Sequence, residues 1–356
     1  MPDAAHTGAD MTDRRDAGST TGAPAGETPP MRYEFRGHLG SGGMADVYRA
    51  RDTELGRDVA VKVFRDDEGT VADVQRRERE IHLLGAMSHP GLVGIHDAGT
   101  LEIGGRSRRY LVMELLEGRS LAHRVARGPL TTRQTAEVAA QLGDALSYVH
   151  ARGIVHRDIK PENILLDEVP AFGYTIMAKL ADFGVAQFDG GARVTNDGAV
   201  MGTAAYISPE QVRGEAVGAP SDIYSLGLVL LEALTGEREY DGTPVEAALA
   251  RLQRPPRIPE ELSGEWRTFL AAMTAVRPEE RPTAHDVAAT MRDILRSMTA
   301  GHARHGVHSH SADGAASVAL PKARAVLAKL FAGPGGGSAV AAGVLIATTV
   351  AGVRIL

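Results

Sequence analysis

One short run concentrates more polar chemistry than any other stretch of the chain: His156-Arg157-Asp158-Ile159-Lys160-Pro161-Glu162-Asn163. A carboxylate at Asp158, an ammonium two residues on at Lys160 and an amide five residues on at Asn163 place a base, a clamp for phosphate charge and a hard oxygen ligand in one loop. Apolar runs on either side, Gly153-Ile154-Val155 and Ile164-Leu165-Leu166, read as strands that hold the loop between them. Asp182-Phe183-Gly184 follows a further apolar position, Leu180, and adds a second hard oxygen donor suited to Mg²⁺. Alone that tripeptide is common; downstream of the loop it is a natural companion to Asn163.

Two further features belong with these. Leu39-Gly40-Ser41-Gly42-Gly43-Met44-Ala45-Asp46-Val47 lacks side-chain bulk, which lets backbone amides close over phosphate oxygens while Val47 packs on a flat base. Taken by itself it is also what a tight turn between strands looks like. Lys62 stands in Val59-Ala60-Val61-Lys62-Val63, a run apolar enough to be buried, and a buried ammonium needs a carboxylate beside it. Glu80, on the helix that follows, shares the inward face with Leu84 and Met87, whereas Glu78 projects elsewhere. Glu80 is therefore the expected partner.

The elements that must position these groups follow from pattern. A chain of 356 residues exceeds one small core, so two packed lobes with tails are expected. Strands are expected from Tyr33, over Asp58 to Phe64 and over Tyr110 to Leu116, with one helix from Val71 to Met87 that His89-Pro90 stops. Beyond Glu117-Gly118 the periodicity turns helical, with helices over Thr132 to Arg152, Asp222 to Thr235, Pro244 to Leu252, Gly264 to Ala275 and Ala284 to Thr299. The fold class is thus α+β, a small β-rich lobe joined to a larger α-helical one. Residues 1–30 hold almost no large apolar side chains and read as a disordered tail.

Composition removes several alternatives. The balance of 39 Lys and Arg against 45 Asp and Glu, a net charge of −6, gives no broad basic surface, so no nucleic-acid partner is expected. With no cysteine, disulfides, thiolate metal sites and cysteine nucleophiles are excluded. No basic, then apolar, then small-residue signal opens the chain, so no cleaved leader is expected and the main body reads as cytoplasmic. His302, His305, His308 and His310 lie among Gly, Ser and Ala without carboxylate partners, and a solvated linker describes them better than a metal site.

In order and context these segments resemble the protein-kinase signature set, over about three quarters of the chain from Tyr33 to Met298. The glycine loop, Gly-Ser-Gly-Gly-Met-Ala, is similar to that of the bacterial, eukaryotic-like serine/threonine kinases. The resemblance implies a bilobal protein-kinase fold over residues 31–298, with lobes at 31–116 and 117–298. It implies that Leu39, Gly40, Ser41, Gly42 and Gly43 cover ATP, although Ala45 replaces the last glycine of the motif. Lys62, held by Glu80, would meet the α- and β-phosphates. Val47, Ala60 and Leu165 would enclose the adenine, and Glu114 and Leu116, after the gatekeeper Met113, would offer it backbone groups. Asn163 and Asp182 would hold Mg²⁺, with Mn²⁺ as a substitute. Asp158 would accept the proton of a Ser or Thr hydroxyl on a protein substrate, and Lys160 would neutralise the transferring phosphoryl group. Lysine at that position resembles Ser/Thr rather than Tyr kinases. Two alternatives stay in view, a nucleotide-binding pseudokinase or scaffold and a kinase of small molecules.

Further expectations concern structure and regulation. Glu210 should pair with Arg281, and Asp222 should brace the catalytic-loop backbone. Arg157, just before Asp158, resembles an arginine that waits for an activation-segment phosphate, for which Thr195 is the candidate autophosphorylation site. Residues 299–337 read as a flexible linker. Residues 338–356, uncharged apart from Arg354 but short and rich in Ala and Gly, read as a transmembrane tail anchor, with Lys322, Arg324 and Lys329 on the cytoplasmic side. Gly343, Ala347 and Ala351 form a small-residue stripe through which two anchors could meet in a homodimer.

Overall fold

A computed structural model describes residues 32–42, 45–65, 85–103, 106–167, 173–182 and 203–305, the last six of these as backbone alone. Gly43, the expected helix over Val71 to Met87 for most of its length, Glu80, Thr195 and residues 338–356 lie outside them. Among the described residues no helix is long and apolar enough to cross a membrane.

The first lobe is an antiparallel five-stranded sheet in the order β1-β2-β3-β5-β4. Its strands are β1 (Tyr33–Ser41), β2 (Ala45–Asp52), β3 (Arg57–Phe64), β4 (Ile95–Ile103) and β5 (Arg106–Glu114). Strand alternation divides β3 between two environments. Val59, Val61 and Val63 pack with Tyr33, Ala50, Leu101 and Val112 on one side. Ala60 packs with Leu111 and Met113 on the other, against the half-buried Val47. Lys62 pairs in register with Val47, so the ammonium rises from the same face as Val47 and Ala60. That face looks into the cleft.

The chain crosses to the second lobe at Gly118. A Cβ there would lie 1.7 Å from the Leu166 carbonyl oxygen, so only glycine lets the backbone pass. A three-stranded sheet lines the crossing, β6 (Arg119–Ser120), β7 (Ile164–Asp167) and β8 (Met177–Leu180), in the order β6-β7-β8. Residues 91–93 bind it from the other side, with Leu180 N–H donating to Gly91 O at 2.8 Å and Val93 N–H to Leu180 O at 3.0 Å.

Helices then dominate: α1 (Leu121–Val125), α2 (Thr132–His150), α3 (Pro209–Arg213), α4 (Ala219–Thr235), α5 (Pro244–Gln253), α6 (Gly264–Met273) and α7 (Ala284–His305). Their starts are written in the sequence. Thr131 with Gln134, Ser208 with Gln211 and Thr243 with Glu246 form reciprocal capping boxes at α2, α3 and α5. From Ser221 to Leu231 every residue of α4 is buried, the polar Ser221, Asp222 and Ser225 included. The main core joins α2, α4, α6 and α7 to β7 and β8.

Two expectations are corrected. The run Gly153 to Val155 is not a strand. Gly153, at φ 74°, ends the preceding helix, Ile154 N–H returns to Val149 O, and among the described residues no strand pairs with the run. The last helix continues to His305 instead of stopping at Thr299, because nothing between them forces a break as proline would.

Candidate active site

Asp158 is placed by its neighbours in the loop. Its Oδ2 accepts from Lys160 Nζ at 2.8 Å and from Asn163 Nδ2 at 3.0 Å, and the same Nδ2 donates to the Asp158 carbonyl at 2.8 Å. Oδ1 is buried and, among the described residues, has no hydrogen-bond partner. One carboxylate oxygen is thus held while the other, shielded from solvent, keeps its acceptor capacity unused among the described residues.

The loop backbone is fixed from below. Asp222, near the N-terminus of α4 where the helix dipole favours a carboxylate, accepts from His156 N–H through Oδ2 and from Arg157 N–H through Oδ1, each at 2.8 Å. His150 Nε2 also lies 2.8 Å from Asp222 Oδ2. These bonds support Arg157 at φ 67°, a conformation that would not hold unaided.

His156 joins the loop to the segment that carries Asp182. Asp158 N–H donates to its Nδ1 at 3.3 Å, which leaves Nε2–H to donate to the Ala181 carbonyl at 3.0 Å. Burial pushes the imidazole pKa below its ordinary value, against Asp222 and the other nearby carboxylates, so the neutral ring serves as a fixed bridge. The next residue is Asp182, in a left-handed conformation at φ 54°. Its Oδ1 accepts from Lys62 Nζ at 2.8 Å. The carboxylate beside Lys62 in the described residues is therefore Asp182, 120 positions away.

The rim is less uniform. Leu39 is exposed, Gly42 N–H closes the turn on Ala45 O at 2.9 Å, and Ser41 Oγ donates to Asp46 at 2.7 Å. The Ser41 hydroxyl thus stiffens its own hairpin. Met113 is buried behind Ala60, while Leu116 and Leu165 are half-buried. Glu114 N–H donates to Gly94 O at 2.8 Å. The Glu114 side chain does something the sequence pattern did not reveal. Its two oxygens accept from Lys179 Nζ at 2.6 and 2.7 Å, joining the crossing strand to β8. The one signal for it was a lysine interrupting apolar β8.

Beyond the cleft, the segment after residue 203 is tied into the second lobe. Tyr206 donates to Glu232 at 2.5 Å, and Ser225 Oγ to the Tyr206 carbonyl at 2.8 Å. Glu210 and Arg281 form the expected pair, with bonds of 2.7 and 2.8 Å and both side chains buried.

The donor set suits a magnesium nucleotide. Mg²⁺ keeps much of its water and is usually held by one or two protein groups together with substrate phosphates. Asp182, already facing a cation in Lys62, and the oxygen of Asn163 are such groups. Among the described residues no cluster of three or more His, Cys, Asp or Glu side chains forms a site that would hold a metal by itself.

Comparison with known proteins agrees with this arrangement. The family model described as protein kinase domain matches residues 33–291. Serine/threonine-protein kinase PknB of Mycobacterium tuberculosis is 41% identical over 277 residues, covering 74% of this chain and 42% of the relative. PknB of Mycobacterium leprae is 40% identical over 281 residues, covering 76% and 44%. Serine/threonine-protein kinase PknA of Mycobacterium tuberculosis is 38% identical over 261 residues, covering 72% and 59%. The chain therefore spans less than half the length of these PknB relatives.

Proposed function

From the premise that this chain belongs to the protein kinase family, we propose that it transfers the γ-phosphate of ATP to Ser and Thr hydroxyls of proteins. The observation that carries the proposal is the division of labour at Asp158, with Oδ2 held by Lys160 and Asn163 and Oδ1 buried without a hydrogen-bond partner among the described residues. A substrate hydroxyl donating to Oδ1 is oriented for attack on the γ-phosphorus. Its oxygen bonds to phosphorus, the bond from phosphorus to the β-phosphate oxygen breaks, and the proton passes to Asp158. Lys160, 2.8 Å from Oδ2, neutralises charge on the group in transit.

Lys62 leaves Asp182 for the α- and β-phosphates when nucleotide enters. Asp182 and the Asn163 oxygen would hold Mg²⁺ or Mn²⁺, which would supply charge neutralisation on the phosphate oxygens. Leu39, Gly40, Ser41, Gly42 and Gly43 form the cover, Val47, Ala60 and Leu165 enclose the adenine, and the backbones of Glu114 and Leu116 read it. Glu80 joins the set as a second partner of Lys62.

The purified chain, given labelled ATP, Mg²⁺ and a generic basic protein, is expected to label that protein, and Asp158→Asn is not. Nucleotide binding without transfer by the wild type would sink the proposal and leave the scaffold reading. Transfer to small molecules alone would favour the small-molecule kinase.

The finer organisation belongs to the same reading: a kinase domain over residues 31–298, a tail at 1–30, a juxtamembrane segment at 299–337 that starts as helix, and a membrane anchor at 338–356 through which two copies pair. Full-length protein that fractionates without detergent would sink the anchor. Thr195 is the autophosphorylation site, and mass spectrometry against a Lys62→Met control that finds it unmodified would remove it.

A further inference from the structure

Outside the cleft, a cavity of about 220 Å³ opens beside the crossing between the lobes, lined by Gly118, Arg119, His123, Arg124, Arg127 and Leu166. Strand alternation sets it apart from the face proposed for adenine. Ser120 pairs with Leu165 and Arg119 with Leu166, so Arg119 and Leu166 leave β6 and β7 on the face opposite to Leu165. The cavity is smaller than the roughly 300–1,000 Å³ of sites that enclose whole small molecules, and suits one side-chain group.

The lining is cationic. Arg119, His123 and Arg127 recur at intervals of four residues, which turns them to one side of α1 and of the turn that extends it. Ser120 Oγ fixes the start of α1 by accepting from His123 N–H at 3.3 Å. Arg119 Nη1 donates to His123 Nε2 at 3.1 Å, and Arg124 Nη1 to the Gly128 carbonyl at 3.0 Å. Among the described residues the lining holds no carboxylate, and neither Arg119 nor Arg127 forms an ion pair. Desolvation, then the charges of Arg119 and Arg127, push the His123 ring below its ordinary pKa. In a chain of net charge −6 this gathering of positive charge is local. Like charges held together without a counter-charge repel one another, and an anion relieves that repulsion.

We propose that this pocket binds the phosphoryl group of an already phosphorylated Ser or Thr on a protein substrate. Such a group carries a charge of about −1.5 to −2 and three acceptor oxygens, which two planar guanidinium forks can meet together. A carboxylate offers less charge and one oxygen fewer. The inference rests on the protein-kinase reading for the source of its ligand, since a Ser/Thr kinase makes such groups. A substrate phosphorylated at one position would be held here while a second hydroxyl reaches Asp158.

The test is equilibrium binding to the full chain, without ATP, of a fluorescent peptide carrying one phosphothreonine among glycines and alanines. Its affinity is expected to exceed that of the same peptide with Thr or with Asp by about tenfold or more. Arg119→Gln combined with Arg127→Gln is expected to weaken phosphopeptide binding about tenfold or more. Both side chains are exposed, so the urea midpoint should stay as in wild type. If the double variant does not fold, each single variant is measured, with a loss of about threefold or more expected. In turnover, an acceptor peptide that also carries a phosphothreonine should show a KM about fivefold below that of its unphosphorylated form, a difference the double variant loses with ATP KM unchanged. Equal binding of the Asp peptide overturns the proposal in favour of general acidic docking, and inorganic phosphate that binds as tightly as the phosphopeptide overturns it in favour of a free-anion site. Unchanged phosphopeptide affinity in a folded variant, or a KM indifferent to phosphorylation, overturns it too. The binding readout needs no turnover. A wild type that transfers no phosphate would therefore sink the kinase reading while the pocket could still be judged.

Discussion

Lys62 and Asp182 lie 120 positions apart in the chain and 2.8 Å apart across the cleft. The pair joins the first lobe's central strand to the residue after Ala181, and its side chains are 19% and 35% exposed. Water reaches the pair, so its worth to stability is small, about 0–1 kcal/mol. Its worth to catalysis is not. Lys62→Met is expected to lower kcat on the order of 10²-fold or more while denaturant stability moves by less than about 1 kcal/mol. Parallel activity and urea titrations check this, and a collapse in stability matching the loss of rate would contradict it.

Asp158 Oδ1, without a partner among the described residues, leads to a second expectation. Asparagine at this position keeps one acceptor but cannot take a proton, so kcat should fall by roughly 10²- to 10⁴-fold. The bond from Asn163 Nδ2 to the Asp158 backbone carbonyl survives the change, so ATP KM should stay within about twofold. Steady-state kinetics with varied ATP separate the two parameters. A rise in ATP KM with kcat preserved would mean Asp158 is not where proton and phosphoryl group meet.

What could be read from the chain and what could not divides along sequence distance. The loop from His156 to Asn163 was legible because its chemistry needs unlike polar groups in fixed order within one turn of backbone, and composition does not supply that by accident. Glu210 with Arg281 and Asp222 with the loop were legible through the family resemblance. The need for a carboxylate beside Lys62 was legible; Glu80, the expected one, lies outside the described residues, where Asp182 is the carboxylate that meets it. Burial demands a carboxylate, and nothing local points to Asp182, which enters through the fold of both lobes. The strand read over Gly153 to Val155 failed for a related reason. An apolar triplet does not declare where its amides go, and the His156 N–H that follows is taken by a side-chain carboxylate from α4. The burial of Arg251 on α5 gave no signal, since arginine on a helix usually reaches water and only packing shows it inside.

Glu114 and Lys179 form a clamp between the crossing strand and β8, with nitrogen to oxygen distances of 2.6 and 2.7 Å. Lys179→Met removes a charge-assisted bond that is partly screened, at 23% and 31% exposure, and should cost about 1 to 2 kcal/mol of stability. The Glu114 carbonyl faces the adenine position in the proposed reading, so loosening its side chain should raise ATP KM severalfold with protein-substrate KM unchanged. Isothermal titration with a non-hydrolysable ATP analogue measures the first effect directly. An unchanged nucleotide affinity would confine the clamp to a structural role.

Glu210 and Arg281 allow a prediction whose sign can be reversed. Burial acts to raise the Glu210 carboxyl, but hydrogen bonds from Arg281 and Ser221 outweigh it and hold the group down to about 2, against 4.5 for a free glutamate. Between those values the unfolded chain binds the proton more readily than the folded one. The pair's contribution is therefore complete above about pH 4.5 and is lost as pH falls toward 2. Glu210→Gln should accordingly be less stable than wild type at neutral pH, with the gap closing in acid. Arg281→Met is the stricter case. It leaves a buried carboxylate without its cation, which should cost about 3–5 kcal/mol at pH 7. Desolvation then dominates and lifts the Glu210 pKa above the free value, so protonation favours the folded state. The Arg281→Met deficit should shrink as pH drops from 7 toward 5, a range in which the wild-type pair does not titrate. Urea denaturation at pH 5, 6 and 7 reads the slope for each protein. A deficit in Arg281→Met that stays constant across that range would show that Glu210 finds another cation, and the account of a single buried pair holding the lower lobe would have to be abandoned.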